Sequence, residues 1–407
     1  MVMKKILIAS CDMGIGGVER SLAGMLEQFS YDEYKVDLML YSQSGEFMEL
    51  LHEDISLLDE MAEYKTFRSS IAETFRARQI GIGITRLVSK ARTALETRLR
   101  KLEEPGYYQQ QLMWRYALPL LPRLEQRYDV AISFLWPHYF VADKVAADVK
   151  IAWIHTDYST IVTNHAMDLK MWSNFDHIIA VSDACKSSFI SRYKELKDKV
   201  SVIENIISPP AVSMLADSGE VDNPMLRDRR FKLLTVARLS YQKGIDQAIK
   251  AFDMLRQLGY RDMAWYVVGY GGEEAALREQ IAEHGLQDSF VLLGKQTNPY
   301  PFVKACDLYV QPSRYEGKAI TVTEAKILGK PVVITGYPTA ASQVTNYIDG
   351  YITEQSVEGI AAGIERLYQD KELRDRLARN CAGMDYGNAY ELQKLYSLFQ
   401  GDRRGSA

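Results

Sequence analysis

Glu316 and Glu324 stand eight positions apart in the run Ser313-Arg-Tyr-Glu-Gly-Lys-Ala-Ile-Thr-Val-Thr-Glu-Ala-Lys-Ile-Leu-Gly-Lys-Pro-Val-Val. The run follows a strand-like stretch and carries helical sequence ending near Gly329, so Glu316 falls in a loop and Glu324 on a helix. Carboxylates accept paired hydrogen bonds from vicinal hydroxyls, so a loop acid and a helix acid can hold two different sugar rings. The helix start after Gly317 adds unpaired N–H groups that attract a diphosphate. A Glu pair by itself is more commonly a surface acid and a helix acid, so the neighbouring sequence has to carry the case.

It supplies cations at matching places. Arg238 follows the apolar run Leu233-Leu-Thr-Val-Ala, and Lys243 precedes a helix in Tyr-Gln-Lys-Gly-Ile. A strand, two cations and a helix start together form a phosphate grip. Further on, Val267-Val-Gly-Tyr-Gly-Gly-Glu-Glu places Gly269 after another strand, where glycines either admit a ligand close to the backbone or make a tight turn.

The elements that must position these residues alternate in type. Strands are expected at 4–10, 36–41, 130–134, 151–154, 178–181 and 200–203, with helices between them, the first over about 18–29. A second series begins at Phe231, with strands at 233–236, 264–268, 290–293, 308–311 and 332–335. The expectation is an α/β chain of two doubly wound Rossmann-like domains facing a central cleft, with ligands at the carboxyl ends of the strands. The first domain would span 1–207 and the second 208–383, with a C-terminal helix at about 384–400 packing back on the first. Ile207-Ser-Pro-Pro-Ala-Val and the polar stretch through Arg230 read as the linker between them.

Bulk properties narrow the function. The chain has 407 residues, 47% hydrophobic and 25% charged, with a net charge of −4, which argues against a dedicated nucleic-acid binder. Cys11, Cys185, Cys306 and Cys381 are far apart and form neither a disulfide framework nor a zinc knuckle, which suits a reducing, cytoplasmic setting. The apolar stretch after Lys5 is too short for a signal peptide, so any membrane contact is expected to be peripheral. One segment departs from the overall balance. Residues 65–101 carry ten basic residues (Lys65, Arg68, Arg76, Arg78, Arg86, Lys90, Arg92, Arg98, Arg100, Lys101) against Glu73 and Glu96, a local charge of +8. Apolar residues interleave with them at helical spacing. Such a segment either lies on an anionic membrane, on the inner face of the cell membrane for a cytoplasmic protein, or forms a solvated helical hairpin on the first domain.

The order Ala-Arg-Leu…Lys-Gly, Val-Val-Gly-x-Gly, then Tyr-Glu-Gly-x7-Glu-Ala-x4-Gly-Lys-Pro-Val-Val resembles glycosyltransferase family 4, the large retaining family with the GT-B fold. The likeness runs over roughly 231–350, with looser echoes in Gly14-Ile-Gly-Gly-Val-Glu-Arg and Val181-Ser-Asp; residues 64–128 have no evident counterpart. The resemblance implies a donor nucleotide-sugar, such as a UDP-sugar, and a glycan or lipid-linked acceptor in surface polysaccharide assembly. It implies that Glu316 faces the donor sugar and Glu324 the ribose, while Arg238 and Lys243 neutralise the diphosphate. Gly16 and Gly17 would close over the phosphates. His155, in Trp-Ile-His-Thr-Asp-Tyr, would lie near the donor sugar, with a weaker case for Asp157. Gly269, Gly317 and Ala319 would present backbone to the donor. Lys318 stands where the family usually has a bulky apolar residue; it alters the sugar site or adds a cation near the phosphate.

No Asp-x-Asp motif occurs, and with two cations at hand no metal or other cofactor is expected. A nicotinamide-dependent dehydrogenase fits poorly, since Glu19 and Glu274 replace the last glycine of the GxGxxG fingerprint. A nucleotide-sugar epimerase and a non-catalytic scaffold of the same fold are the other rival readings.

Overall fold

The structure is a computed structural model; it describes residues 3–14, 16–100, 105–217, 224–296 and 298–400. Lys101 of the basic segment therefore lies outside the described residues. The chain divides into two units, one of residues 1–206 with 388–407 and the other of residues 207–387.

The first unit carries a sheet of seven strands: β1 (Lys4–Ser10), β2 (Tyr34–Leu40), β3 (Ser56–Leu57), β4 (Arg127–Ser133), β5 (Ala146–Ile154), β6 (His177–Ala180) and β7 (Val200–Val202). Their order is β3-β2-β1-β4-β5-β6-β7, with every pairing parallel. A parallel sheet is covered on both faces, which is why its central strands read as unbroken apolar runs; Ile6, Leu7 and Ile8 are all fully buried. The helix Glu391–Leu398 belongs to this unit, and Leu392, Leu395, Tyr396 and Phe399 join its core.

The second unit carries six strands: β8 (Phe231–Val236), β9 (Met263–Val268), β10 (Phe290–Gly294), β11 (Leu308–Gln311), β12 (Val332–Thr335) and β13 (Tyr351–Thr353). They run in the order β10-β9-β8-β11-β12-β13, again all parallel. In each sheet the order reverses beside the first strand of its unit. The switch points fall at the carboxyl ends of β1 and β4, and of β8 and β11, where such sheets bind ligands. Two parallel doubly wound sheets of this kind make up a GT-B fold.

The stretch expected to be a linker is folded instead. Pro209 opens a helix, Pro209–Asp217, rather than ending structure, because proline in a first helical turn loses no hydrogen bond. Ser208 Oγ accepts from Ala211 N–H at 3.3 Å at its start. Val212 and Ala216 pack with Tyr300 of the second unit, and a short helix, Pro224–Arg227, follows. Residues 218–223 lie outside the described residues.

Candidate functional site

The loops after β8 and β11 are joined at the second unit's switch point. Gly244 has φ +65°, and a side chain there would run into the Pro312 carbonyl, so glycine is required twice over. Arg314 donates to Asp246 Oδ1 and Oδ2, each at 2.7 Å, and to the Tyr241 carbonyl at 2.7 Å. Its guanidinium also lies 4.0 Å from the Tyr241 ring centre. Gln242 Nε2 donates to the Tyr315 carbonyl at 3.0 Å, and Arg314 N–H to the Gln242 carbonyl at 2.8 Å.

This seam brings Lys243 and Glu316 together across 73 positions of sequence. Lys243 Nζ donates to both Glu316 oxygens, at 2.6 and 2.8 Å. The Glu316 carboxylate, 6% exposed, also accepts from Ser313 Oγ at 2.6 Å and Gln311 Nε2 at 3.1 Å. Gln311 is held in turn by Tyr309 Oη, which donates to its Oε1 at 2.9 Å. Burial costs a carboxylate its hydration, and these donors replace it. Lys243 is thus committed to Glu316 in this state. Arg238 is exposed, and among the described residues its guanidinium has no ion-pair partner.

Glu324 lies on the helix Ile320–Ile327, 2% exposed, and accepts from Tyr300 Oη at 2.8 Å. Ala319 is that helix's N-cap and offers no side-chain acceptor; Val322 N–H donates to its carbonyl at 3.1 Å, and the two amides before Val322 are placed to receive an anion. Gly317 and Lys318 are half-buried beside it. Two residues beyond Glu324, Lys326 donates to Asp349 Oδ2 at 2.6 Å and to the Gln343 carbonyl at 2.7 Å, fixing the inner side of the helix. Gly269 has φ +151°, and a side chain there would collide with the Ala237 carbonyl. Its lack of a side chain is accounted for by the approach of the chain's own backbone.

In the first unit, the loop after β1 is braced by Asp12, which accepts from Gly14 N–H at 3.0 Å and pairs with Arg68 from the basic segment. Gly16 is the extended N-cap of the helix Gly17–Glu27. The Glu19 carboxylate folds back over it, in the space a side chain on Gly16 would need. A phosphate bound there would have to displace that carboxylate.

His155 follows β5, with its ring 4.8 Å from that of Phe134 and its Nε2 buried and, among the described residues, without a hydrogen-bond partner. Burial depresses its pKa to about 3, so the imidazole is neutral at pH 7. Nearby His138 is fully buried; burial and then His155 lower its pKa to about 3 as well, and its Nδ1 lies 2.8 Å from Ser133 Oγ. Asp157 is spent on a local turn, accepting from Ser159 N–H at 2.9 Å and Ser159 Oγ at 2.7 Å.

The structure therefore joins Lys243, Glu316 and their supports in one network, with Arg238, Gly317, Lys318, Ala319 and Glu324 on the same unit. His155, Gly16 and Gly17 belong to the other. Sequence reasoning missed Gln311, Ser313, Arg314 and Tyr300. Gln311, a polar residue closing the buried run Leu-Tyr-Val-Gln, was the available signal. Among the described residues, no group of three or more His, Cys, Asp or Glu is placed to hold a metal ion.

Residues 221–383 match the family described as glycosyl transferases group 1. The chain is 25% identical over 273 residues to the uncharacterized glycosyltransferase MJ1607 of Methanocaldococcus jannaschii, covering 62% of this chain and 70% of that one. It is 28% identical over 212 residues to the capsular polysaccharide biosynthesis glycosyltransferase CapM of Staphylococcus aureus, covering 50% of this chain and 55% of that one. Its fold matches Anabaena Alr3699/HepE in complex with UDP-glucose with a TM-score of 0.64 at 18% identity, over 98% of this chain and 97% of that one. The chain is a glycosyltransferase of GT-B fold, and residues 221–383 are the part of it that matches the group 1 family.

Proposed function

We propose that this chain is a retaining, family 4-type glycosyltransferase that moves a hexose or N-acetylhexosamine from a UDP-sugar to a glycan or lipid-linked acceptor in surface polysaccharide assembly. The observation that carries the proposal is the Lys243–Glu316 pair at the switch point between β8 and β11, with an exposed Arg238 on the same strand end. The naming of CapM for capsular polysaccharide biosynthesis supports the setting, and the UDP-glucose bound by the Anabaena protein supports the donor class.

When the anomeric C–O bond breaks, the diphosphate leaves with the electron pair and the sugar carbon becomes positive. Arg238, Lys243 and the amides at Ala319 stabilise the departing charge, so no divalent metal is required. Lys243 is the shared member: it answers Glu316 before the donor arrives and the diphosphate afterwards, which releases carboxylate oxygens for sugar hydroxyls. With no base assigned, the acceptor hydroxyl attacks the face the diphosphate leaves and yields its proton to a diphosphate oxygen. The retained configuration follows from that geometry. Glu324, aligned by Tyr300, takes the ribose hydroxyls. Gly16, Gly17 and His155 are donor contacts on the family resemblance alone, and His155 acts as a neutral hydrogen-bonding group.

A panel of nucleotide-sugars screened for transfer by mass spectrometry tests this reading. Glu316→Ala should lower transfer on the order of 10²–10³-fold while UDP still raises the melting temperature, because Lys243 is then free for phosphate. Equal loss of UDP binding would contradict the division of roles.

A further inference from the structure

The helix Ile80–Arg100 has its polarity inverted. Its inner face carries Ile82, Ser89 and Thr93, each 1–3% exposed, while Ile80, Ile84, Leu87, Val88, Leu95 and Leu99 point outward, 48–72% exposed. At 3.6 residues per turn these six form one stripe roughly 120° wide. An ordinary surface helix turns such a stripe toward the core.

The helix cannot roll over to correct this, because its polar inner face is seated. Arg86 Nη1 donates to the Thr66 carbonyl at 2.5 Å and to Thr74 Oγ1 at 2.8 Å. Gly83 lies so close to Phe75 that a side chain there would press on the ring at 2.7 Å.

The structure also sorts the segment's cations. Lys65 pairs with Glu60 and Arg68 with Asp12, and Arg86 is bonded inside. Of the seven others, Arg76, Arg78, Lys90, Arg92 and Arg98 have described side chains; all five are exposed and, among the described residues, without an ion-pair partner. Of the segment's two acids, Glu73 is engaged in the capping box with Ser70, and Glu96 is half-buried.

We propose that this face docks on an anionic lipid bilayer, the helix lying in the interface plane with its apolar stripe at the acyl boundary and its cations among headgroup phosphates. An apolar stripe with Lys90 and Arg92 to either side and Arg98 within it is the pattern of an interfacial helix. No helix among the described residues is long and apolar enough to cross a membrane. A second copy of the chain is a poor occupant, since pairing this face with itself would bring two sets of five unpaired cations together. The inference does not depend on the transfer reaction.

Sedimentation of the full chain with vesicles tests it, comparing pure phosphatidylcholine with mixed phosphatidylcholine–phosphatidylglycerol. Binding to the mixed vesicles alone, weakened by salt, is expected. The exposed-site variant Leu87→Glu/Leu95→Glu, with an unchanged melting temperature, should lose it. Reversing Lys90, Arg92 and Arg98 to Glu should lower partitioning on the order of 100-fold. Absence of binding to the mixed vesicles would overturn the proposal, as would full binding by the leucine variant. A concentration-dependent dimer abolished by that variant, without vesicle binding, would make the face a protein interface instead.

Discussion

In the second unit, charged side chains answer one another: Lys243 with Glu316 and Arg314 with Asp246 at the carboxyl edge of the sheet, and Lys326 with Asp349 toward its amino edge. At the edge of the first sheet, Ser10 Oγ, His138 Nε2, Trp153 Nε1 and His155 Nε2 are buried and, among the described residues, have no hydrogen-bond partner. The second arrangement is set before any ligand arrives, and each member restrains the next, as a site for a developing phosphate charge requires. Beyond the Asp12–Arg68 pair in the loop after β1, the first unit keeps neutral polar groups in apolar surroundings, which suppresses charge rather than fixing it. On the proposed function, the second unit holds the anion and the first presents uncharged hydrogen-bonding atoms.

Breaking the paired side should have the largest effect. Asp349→Ala leaves the Lys326 ammonium, 6% exposed, without its partner, and should cost about 3–5 kcal/mol in urea unfolding. Replacing both with apolar residues of similar volume should recover most of that loss; a single variant of unchanged stability would show that the pair is dispensable. A smaller effect is expected at the seam. Arg314→Ala removes two bonds to Asp246 and one to the Tyr241 carbonyl, and should cost roughly 2 kcal/mol while weakening UDP binding through a displaced Lys243. Retained affinity would separate the seam from the site.

The first unit should respond to pH. An unfolded histidine takes up its proton near pH 6.5, whereas His138 and His155 resist until about pH 3. Their contribution is therefore full above pH 6.5 and is lost as pH falls from there toward 3. The slope is at most about 1.4 kcal/mol per pH unit for each ring. Denaturant midpoints measured from pH 7.5 to 5 should fall, and His138→Gln should flatten the fall; parallel profiles would show that His138 is not the group responsible.

The strands that form the sheet interiors were legible because apolar β-branched runs have few alternatives; β1, β11 and β12 coincide with the expected spans. The missed strands, β3 and β13, have two and three residues, too few to show a pattern. The prolines at 209 and 210 misled because proline breaks a helix in its interior but opens one at its first turn. In the site, Glu316, Lys243 and Arg238 were visible as residue types at strand ends. Their pairing was not, since it depends on Gly244 allowing one loop to rest on the Pro312 carbonyl of another. The basic segment read as one uniform block. Only side-chain placement separates Arg68, paired with Asp12, and Arg86, bonded to Thr66 and Thr74, from the cations without an ion-pair partner.

The central claim is that the second unit grips a nucleoside diphosphate through Arg238 and Lys243. Calorimetric titration of UDP into the full chain and into Arg238→Ala tests it most directly. The account predicts saturable binding to the native chain, weakened on the order of 10–100-fold in the variant, the equivalent of one charge-assisted hydrogen-bonding group. Unchanged affinity in Arg238→Ala, or no binding of UDP to the native chain, would contradict it.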